Sequence, residues 1–484
     1  MLTHFANGAS DSRLSFWRRV REFAVPPAMI ETATVRRRAG DWAGACAAAA
    51  FDVDLDLRSV ARVHGHDLAA RVRADLRHLA PDLLRWHMPR IAPDGLLRPG
   101  LTCTLARYDG AGRDGAGAVH LVVRTPPAWA AGGQRISLAL WDGHGPGAGA
   151  ARHPHSRPRR RFRLDLHRHL WDARRAGELR VRSGADLPSG DDPPSRQGPP
   201  GATEPPMRPC AVGRWAAEAA LLLRAEGRTP VGTGTGALGV VVRIAAGRWL
   251  VLDPDPDAVA DGAGAPALRI GTAPTRGGAL SALPVLPDAA TWVPPDLELV
   301  RAGAIGAGRL HPLVAPALLP EDHGPAFPPP PPSPGPALAA GPRVVDCRGA
   351  RHRIGLVDGV LAAMDHDPAE IRREELLAAL TGTPLPCLQV IDEAHRRPEC
   401  LPDIRGRLDH GDTAGALAVV ESLLGPGARL REGALRDELE AAAERRIAHG
   451  MFRAGLDEPA VGRFGPNRDR PREGRFRPRQ ATFG

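Results

Sequence analysis

Pro328–Pro332 is a run of five consecutive prolines, closely followed by Pro334 and Pro336. Each proline fixes φ and lacks a backbone N–H, so neither a helix nor an interior strand can be threaded through this stretch. Such a run takes an extended, solvated polyproline conformation and acts as a semi-rigid spacer. The chain is therefore expected to divide at a Pro-rich linker over 320–342. Residues 185–209, rich in Pro, Gly, Ser and Asp, read as a disordered insertion. Residues 457–484, rich in Arg, Gly and Pro without periodicity, read as a disordered basic tail.

The remaining segments carry start, stop and period signals. Residues 1–25 are expected to be poorly ordered. Residues 26–95 read as a helical domain: Pro26-Pro27 suits a helix start, and Asp41 reads as the N-cap of a helix through Ala49. Leu68, Val72, Leu76 and Leu79 recur at helical spacing, and Pro81 opens a further helix through His87. Residues 96–319 read as an α+β middle domain. Leu101–Tyr108, Ala118–Thr125 and Arg135–Trp141 read as strands, and Arg161–Leu166 also alternates. A helix from Cys210 to about Glu226 precedes a hairpin of Leu238–Ile244 and Trp249–Asp253 around Gly247. Pattern alone leaves open whether the strands on either side of 185–209 share a sheet.

Residues 343–456 read as a second helical domain. Asp367-Pro368-Ala369-Glu370 combines a cap, a proline at N1 and a glutamate at N3. Pro398 closes a helix over Pro386–Arg397, and Asp412 caps Thr413–Leu424, stopped by Gly425. A helix over about Arg431–Met451 is expected to turn Leu435, Leu439, Ala442 and Ile447 inward. Gly40-Asp41-Trp42-Ala43-Gly44-Ala45 is echoed in Gly411-Asp412-Thr413-Ala414-Gly415-Ala416, a glycine stop followed by an aspartate cap. Two copies do not make a solenoid, which needs about three stacked repeats. The expected fold class is multidomain α+β, with helical N- and C-terminal domains flanking a mixed middle.

All 64 basic side chains other than histidine are arginine. The absence of lysine excludes Walker-A phosphate binding, the strand lysine of protein kinases, Schiff-base chemistry and Ser-x-x-Lys nucleophiles. One tyrosine, Tyr108, and two asparagines, Asn7 and Asn467, accompany it. Those residues have AT-rich codons, so a GC-rich genome explains much of the arginine content. No apolar run approaches the roughly 18 residues of a membrane span. Arg18-Arg19 interrupts the apolar start Phe16-Trp17, so neither a signal peptide nor membrane attachment is expected and the cytoplasm is the default compartment. Six cysteines in so long a chain fit reduced thiols rather than a disulfide framework.

The net charge of +9 is local. Residues 151–163 contribute +6 and 457–484 contribute +3, leaving a neutral remainder. Arg157, Arg159, Arg160, Arg161 and Arg163, with Arg475 and Arg477 in the tail, are the candidate nucleic-acid or phosphate contacts, because guanidinium forks bind phosphate bidentately. A solvated loop is the alternative.

Gly234, Gly236 and Gly239 match G-x-G-x-x-G, a candidate cofactor-binding turn. A dinucleotide site needs a strand before it and a helix after. Here the expected order is reversed, and a glycine turn into the hairpin is the alternative. Cys347, His352, Cys387, His395 and Cys400 are candidate metal ligands, with His366 among them in sequence. Thiolate and imidazole suit zinc, although no pair has C-x2-C spacing and burial is the commoner fate of a cysteine. Asp52, Asp54 and Asp56, and Asp253, Asp255 and Asp257, alternate in a way that can hold a hard cation. A solvent face with Asp56 or Ser59 as a cap, and a proline-set turn, are the alternatives.

Asp75–His87, with Asp346–Leu424, resembles runs in a group of high-GC actinobacterial proteins without an assigned function. The resemblance implies a bacterial source and carries no functional residues. The expected function is a non-catalytic, partner-binding scaffold. The alternatives are a nucleic-acid-associated protein using 157–163 and 463–479, and an enzyme with a Cys/His/Asp site on a phosphorylated substrate.

Overall fold

The computed structural model describes residues 2–111, 117–143, 153–155, 157–187, 208–228, 239–254, 268–272, 283–319, 343–382 and 384–456. The Pro-rich segment 320–342, the tail 457–484, Gly234, Gly236 and most of 185–209 lie outside these residues. The fold is mixed α and β. The described residues form two compact units: 129–134 with 343–456 in one, and the rest up to 319 in the other.

The first unit begins with six helices: α1 (Leu2–Phe23), α2 (Pro27–Arg38), α3 (Trp42–Ala48), α4 (Leu57–His64), α5 (His66–His78) and α6 (Pro81–His87). Within 1–25, expected to be poorly ordered, Phe16, Trp17, Val20, Ala24 and Val25 belong to the core. Phe16, Trp17, Val20 and Ala24 fall on one face of α1 and its end, and all are buried. Asp41 accepts from the Gly44 amide at 2.8 Å, and Asp56 caps α4 through the Arg58 and Ser59 amides. Asp52 is paired with Arg135 and so belongs to no cation site.

A sheet in the order β1-β6-β5-β4 joins β1 (Phe51–Val53) to β4 (Thr102–Tyr108), β5 (Val119–Arg124) and β6 (Ile136–Trp141). β1 runs parallel to β6, and the other pairs are antiparallel. A short ribbon, β2 (Arg90–Ile91) with β3 (Leu96–Leu97), precedes it. Arg161–Leu166 does not become a strand: only Arg163 bridges Thr104. One apolar cluster contains Val72 and Leu76 of α5, Leu105 and Val123 of the sheet, and Leu297 and Leu310 from further on. The expected boundary at 95/96 is therefore not a break in this core.

A second cluster lies between α8 (Val212–Ala225), which follows α7 (Leu179–Ser183), and an antiparallel sheet. That sheet comprises β7 (Val240–Ala245), β8 (Arg248–Pro254) and β9 (Leu268–Thr272). It is separate from the first, which answers the question of a shared sheet. Gly239 leads into β7, not into a helix, and a Cβ there would come 2.8 Å from Asp253 Oδ1. The nucleotide fingerprint therefore lacks the helix N-terminus it requires; this glycine serves a close strand approach. The unit is completed by α9 (Asp288–Thr291), α10 (Pro295–Arg301) and α11 (Ala315–Leu318).

The second unit corrects the expectation of an all-helical segment. It opens with a three-stranded antiparallel sheet, β10 (Arg343–Cys347), β11 (Ala350–Val357) and β12 (Val360–Ala363). Both connections are two-residue turns with positive φ throughout: Arg348 (53°) with Gly349 (82°), and Asp358 (51°) with Gly359 (80°). Mirror-image turns of this kind match the strand twist, and Asp-Gly is a strong hairpin signal. Five helices follow: α12 (Pro368–Thr381), α13 (Pro386–Arg396), α14 (Leu401–His410), α15 (Thr413–Leu424) and α16 (Ala434–Arg453).

Ile404, Leu408, Ala416, Val420, Leu435 and Ala442 form the core of the last three. Ile447, expected inward, is 65% exposed, whereas His449 is buried. Seven residues from Ala442 return to the same helix face and five do not. Asp412 accepts from the Gly415 amide at 2.9 Å, repeating the cap of Asp41. The preceding Gly411 sits at φ 87°, where a Cβ would lie 2.4 Å from the Gly133 carbonyl oxygen. Asp412→Ala is expected to cost about 1 kcal/mol, as N-cap losses do. Gly411→Ala is expected to cost more, because φ and space are both wrong. Chemical denaturation followed by helical circular dichroism ranks the two.

Candidate metal centre

The sheet register of the second unit brings two of the candidate ligands to one face. Cys347 pairs with Ala350, and Val345 pairs with His352. Residues directly opposite share a face, as do residues two apart on one strand. Cys347 and His352 are therefore diagonal neighbours on the same side.

The third ligand enters where β12 passes into α12. Asp365 accepts from the Arg353 amide at 2.7 Å and from its guanidinium at 2.7 Å, which ties this connection to β11. The same contacts hold the Asp365 carboxyl down at about 2. Asp367 caps α12 by accepting from the Ala369 amide at 2.9 Å. His366 is fixed between these two aspartates, its side chain 4% exposed.

The fourth is Cys387, in the first turn of α13 after Pro386 at N1. Cys347 and Cys387 are fully buried with Ile354, Leu385, Leu388 and Ile391. Burial first, and then the hydrogen bond and charge of Cys347, push the Cys387 thiol up to about 11.

The donor atoms of Cys347, His352, His366 and Cys387 all lie within 4.8 Å of one another. A tetrahedral zinc with Zn–S near 2.3 Å and Zn–N near 2.0–2.1 Å needs donor separations of roughly 3.3–3.8 Å, within that bound. His352 Nδ1 and His366 Nε2 face each other at 2.5 Å, with ring planes 70° apart. That is closer than the roughly 3.3 Å between two nitrogens on one tetrahedral zinc, so the two rings would have to part by somewhat under about 1 Å to bind it together. The opposite nitrogen of His366, Nδ1, lies 3.4 Å from Glu370 Oε2, and Arg348 reaches the other oxygen of Glu370 at 3.9 Å. A carboxylate behind a histidine in this way fixes the tautomer that presents Nε2 to a metal.

Of the ligands expected from sequence, Cys347, His352 and Cys387 come together, and His366 joins them. His395 and Cys400 do not. The His395 Nδ1 instead faces the Ile391 carbonyl at 2.9 Å, and Cys400 packs beside the apolar cluster of the last three helices. Both lie beyond the first turn of α13, whose N-terminal end alone carries a ligand. Among the described residues this is the one His/Cys/Asp/Glu group of metal-binding geometry.

The arginine candidates divide in the first unit. Arg161 is held bidentately by Asp288 at 2.9 and 2.6 Å, and Arg163 pairs with Asp165 and Glu226. Arg160 and Arg163 line a cavity of about 150 Å³ together with Glu226 and Arg228. Arg157 is exposed, and Arg475 and Arg477 lie outside the described residues.

No protein-family model matches the chain, and no curated protein or solved structure matches it. Among the described residues, no helix is long and apolar enough to cross a membrane.

Proposed function

We propose that the 343–396 part of the second unit is a structural zinc module and that the protein acts as a non-catalytic, partner-binding scaffold. The convergence of two thiols and two imidazoles on one point carries this reading. Four protein ligands fill a tetrahedral zinc and leave no position for water or substrate, as in structural rather than catalytic sites. The surroundings agree: only six buried apolar or thiol residues form the core beside the site. A core of that size rarely sustains a fold without a metal or a disulfide. A zinc ion would join β10, β11, the α12 entry and α13, tying the hairpin to the starts of both helices. α12 buries no residue fully; His366, the partly buried Ile371 packed against the core, and Arg348 paired with Glu374 at 2.7 Å fasten it to the module.

Elemental analysis of the purified full chain tests the reading. About one zinc per chain is expected, retained through gel filtration and absent from a Cys347→Ala variant. A metal-free wild-type protein with an intact 343–396 region would overturn it. Glu370→Gln should keep the zinc but lower affinity about 10–100-fold, as loss of an orienting carboxylate does. Competition against a chromogenic chelator measures that change.

A further inference from the structure

The cavity of about 150 Å³ in the first unit is walled by three segments far apart in sequence. The first is 160–163, where Arg163 bridges Thr104 of β4 and the Asp165 amide donates to the Thr104 carbonyl at 2.9 Å. The second is the end of α8. Leu222 and Glu226 stand one turn apart there, and the chain turns at Gly227, with φ 68°. The Arg228 amide then donates to the Leu223 carbonyl at 2.9 Å, which folds the chain back onto the helix end. The third is 283–285, held beside β7. The Val241 amide donates to the Pro284 carbonyl, and the Leu286 amide to the Val241 carbonyl, each at 2.8 Å.

The lining has two kinds of surface. Leu222, Pro284 and Val285 supply apolar contact, whereas Arg160, Arg163 and Arg228 bring three guanidinium groups against one lining carboxylate, Glu226. Arg163 is committed to carboxylates: it gives Nε and Nη2 to Asp165 at 3.2 and 2.6 Å, and Nη1 to Glu226. Counting Asp165 with the lining, three guanidinium groups stand against two carboxylates, an excess of one positive charge among these five side chains. A cavity of about 150 Å³ is the size that takes up one benzene ring. That is well below the roughly 300–1,000 Å³ of sites for drug-sized ligands.

We propose that this cavity binds a small apolar monocarboxylate, about the size of benzoate. Charge sets the head group: one excess positive charge matches a monoanion, and a guanidinium fork takes both oxygens of a carboxylate. Arg160 and Arg228 receive the head group. Arg163 engages Glu226, which lowers the repulsion between that carboxylate and the incoming one. Volume limits the body of the ligand to about one ring. The apolar part of the lining favours a hydrocarbon body over a sugar or a bare ion. Neither the metal centre nor the scaffold reading is needed for this site.

Calorimetric titration of the full chain with sodium benzoate at constant ionic strength tests the proposal. Saturable binding near one benzoate per chain is expected. Benzyl alcohol keeps the ring and loses the charge; acetate keeps the charge and loses the ring. Each should bind about tenfold more weakly than benzoate, or worse. Arg160→Gln and Arg228→Gln should each weaken benzoate about tenfold or more, the usual effect of losing a charge-assisted contact. The comparison of the three ligands on the wild-type chain stands even where a substitution perturbs folding. Heat from benzoate indistinguishable from that of chloride would overturn the proposal. So would benzyl alcohol or acetate binding as tightly as benzoate, benzoate affinity unchanged in either variant, or inorganic phosphate binding more tightly than benzoate.

Discussion

Cys387→Ser is expected to strip the metal and to unfold residues 343–396. The thiol removed is fully buried and belongs to both the donor cluster and the small apolar core around it. In metal-dependent modules the binding free energy is folding free energy, about 10–16 kcal/mol apparent for structural zinc in finger peptides at neutral pH. Losing one of the four ligands is therefore expected to cost several kcal/mol, far more than a buried Cys→Ser change without metal. Hydrogen exchange followed by mass spectrometry should show protection lost in β10–β12 and α13 and retained in β4–β6 of the first unit. A strong chelator should reproduce that pattern in the wild type. Protection preserved in β10–β12 of the variant would show that the sheet stands on its own turns and packing.

Asp296→Ala is expected to destabilise the first unit by about 3–5 kcal/mol, the usual cost of leaving one member of a buried ion pair alone. Arg21 of α1 donates to Asp296 at 2.6 and 3.0 Å, and its side chain is 3% exposed. Trp86 Nε1 donates to the same carboxylate at 3.0 Å, and Arg21 also donates to the Trp86 carbonyl at 2.8 Å. The guanidinium lies 4.4 Å from the Trp86 ring centroid. One aspartate thus satisfies a guanidinium and an indole that link α1, α6 and α10. Eight of the nine tryptophans lie in the first unit, so the urea midpoint of intrinsic fluorescence follows its unfolding. Combining Arg21→Met with Asp296→Leu should be less damaging than Asp296→Ala, because no charge is stranded. A midpoint unchanged by Asp296→Ala would mean that the pair contributes nothing to the core.

These examples show which features could be read from the sequence. Caps and stops were legible because their chemistry is local: Asp41, Asp367 and Asp412 cap helices, and Gly425 follows the last residue of α15. Strands β4–β8 were legible from alternation. The β10–β12 sheet was missed although Arg348-Gly349 and Asp358-Gly359 mark two hairpins at the separation of two-residue turns. The helix signals that follow from Asp367 outweighed them. Packing of the second half of α1 was not legible because Arg21 is held by Asp296, 275 residues away.

At the proposed metal centre, residue type found three of the four clustered side chains and sequence spacing misjudged the rest. Cys347 and His352 meet through strand register, which spacing alone does not give. His366 is placed by the Arg353–Asp365 contact and the cap at Asp367. His395 shares α13 with Cys387 but lies more than two turns along it. In the basic segment the sequence marked Arg159 and Arg161. It could not show that Asp288, 127 residues away, would take up Arg161.

X-ray absorption at the zinc edge of the full chain tests the central claim most directly. A four-coordinate ion is expected, with two sulfur neighbours near about 2.3 Å and two imidazole nitrogens near about 2.0–2.1 Å. His366→Ala should remove one nitrogen neighbour from that shell. A shell of oxygen and nitrogen without sulfur, or one unchanged by His366→Ala, would contradict it.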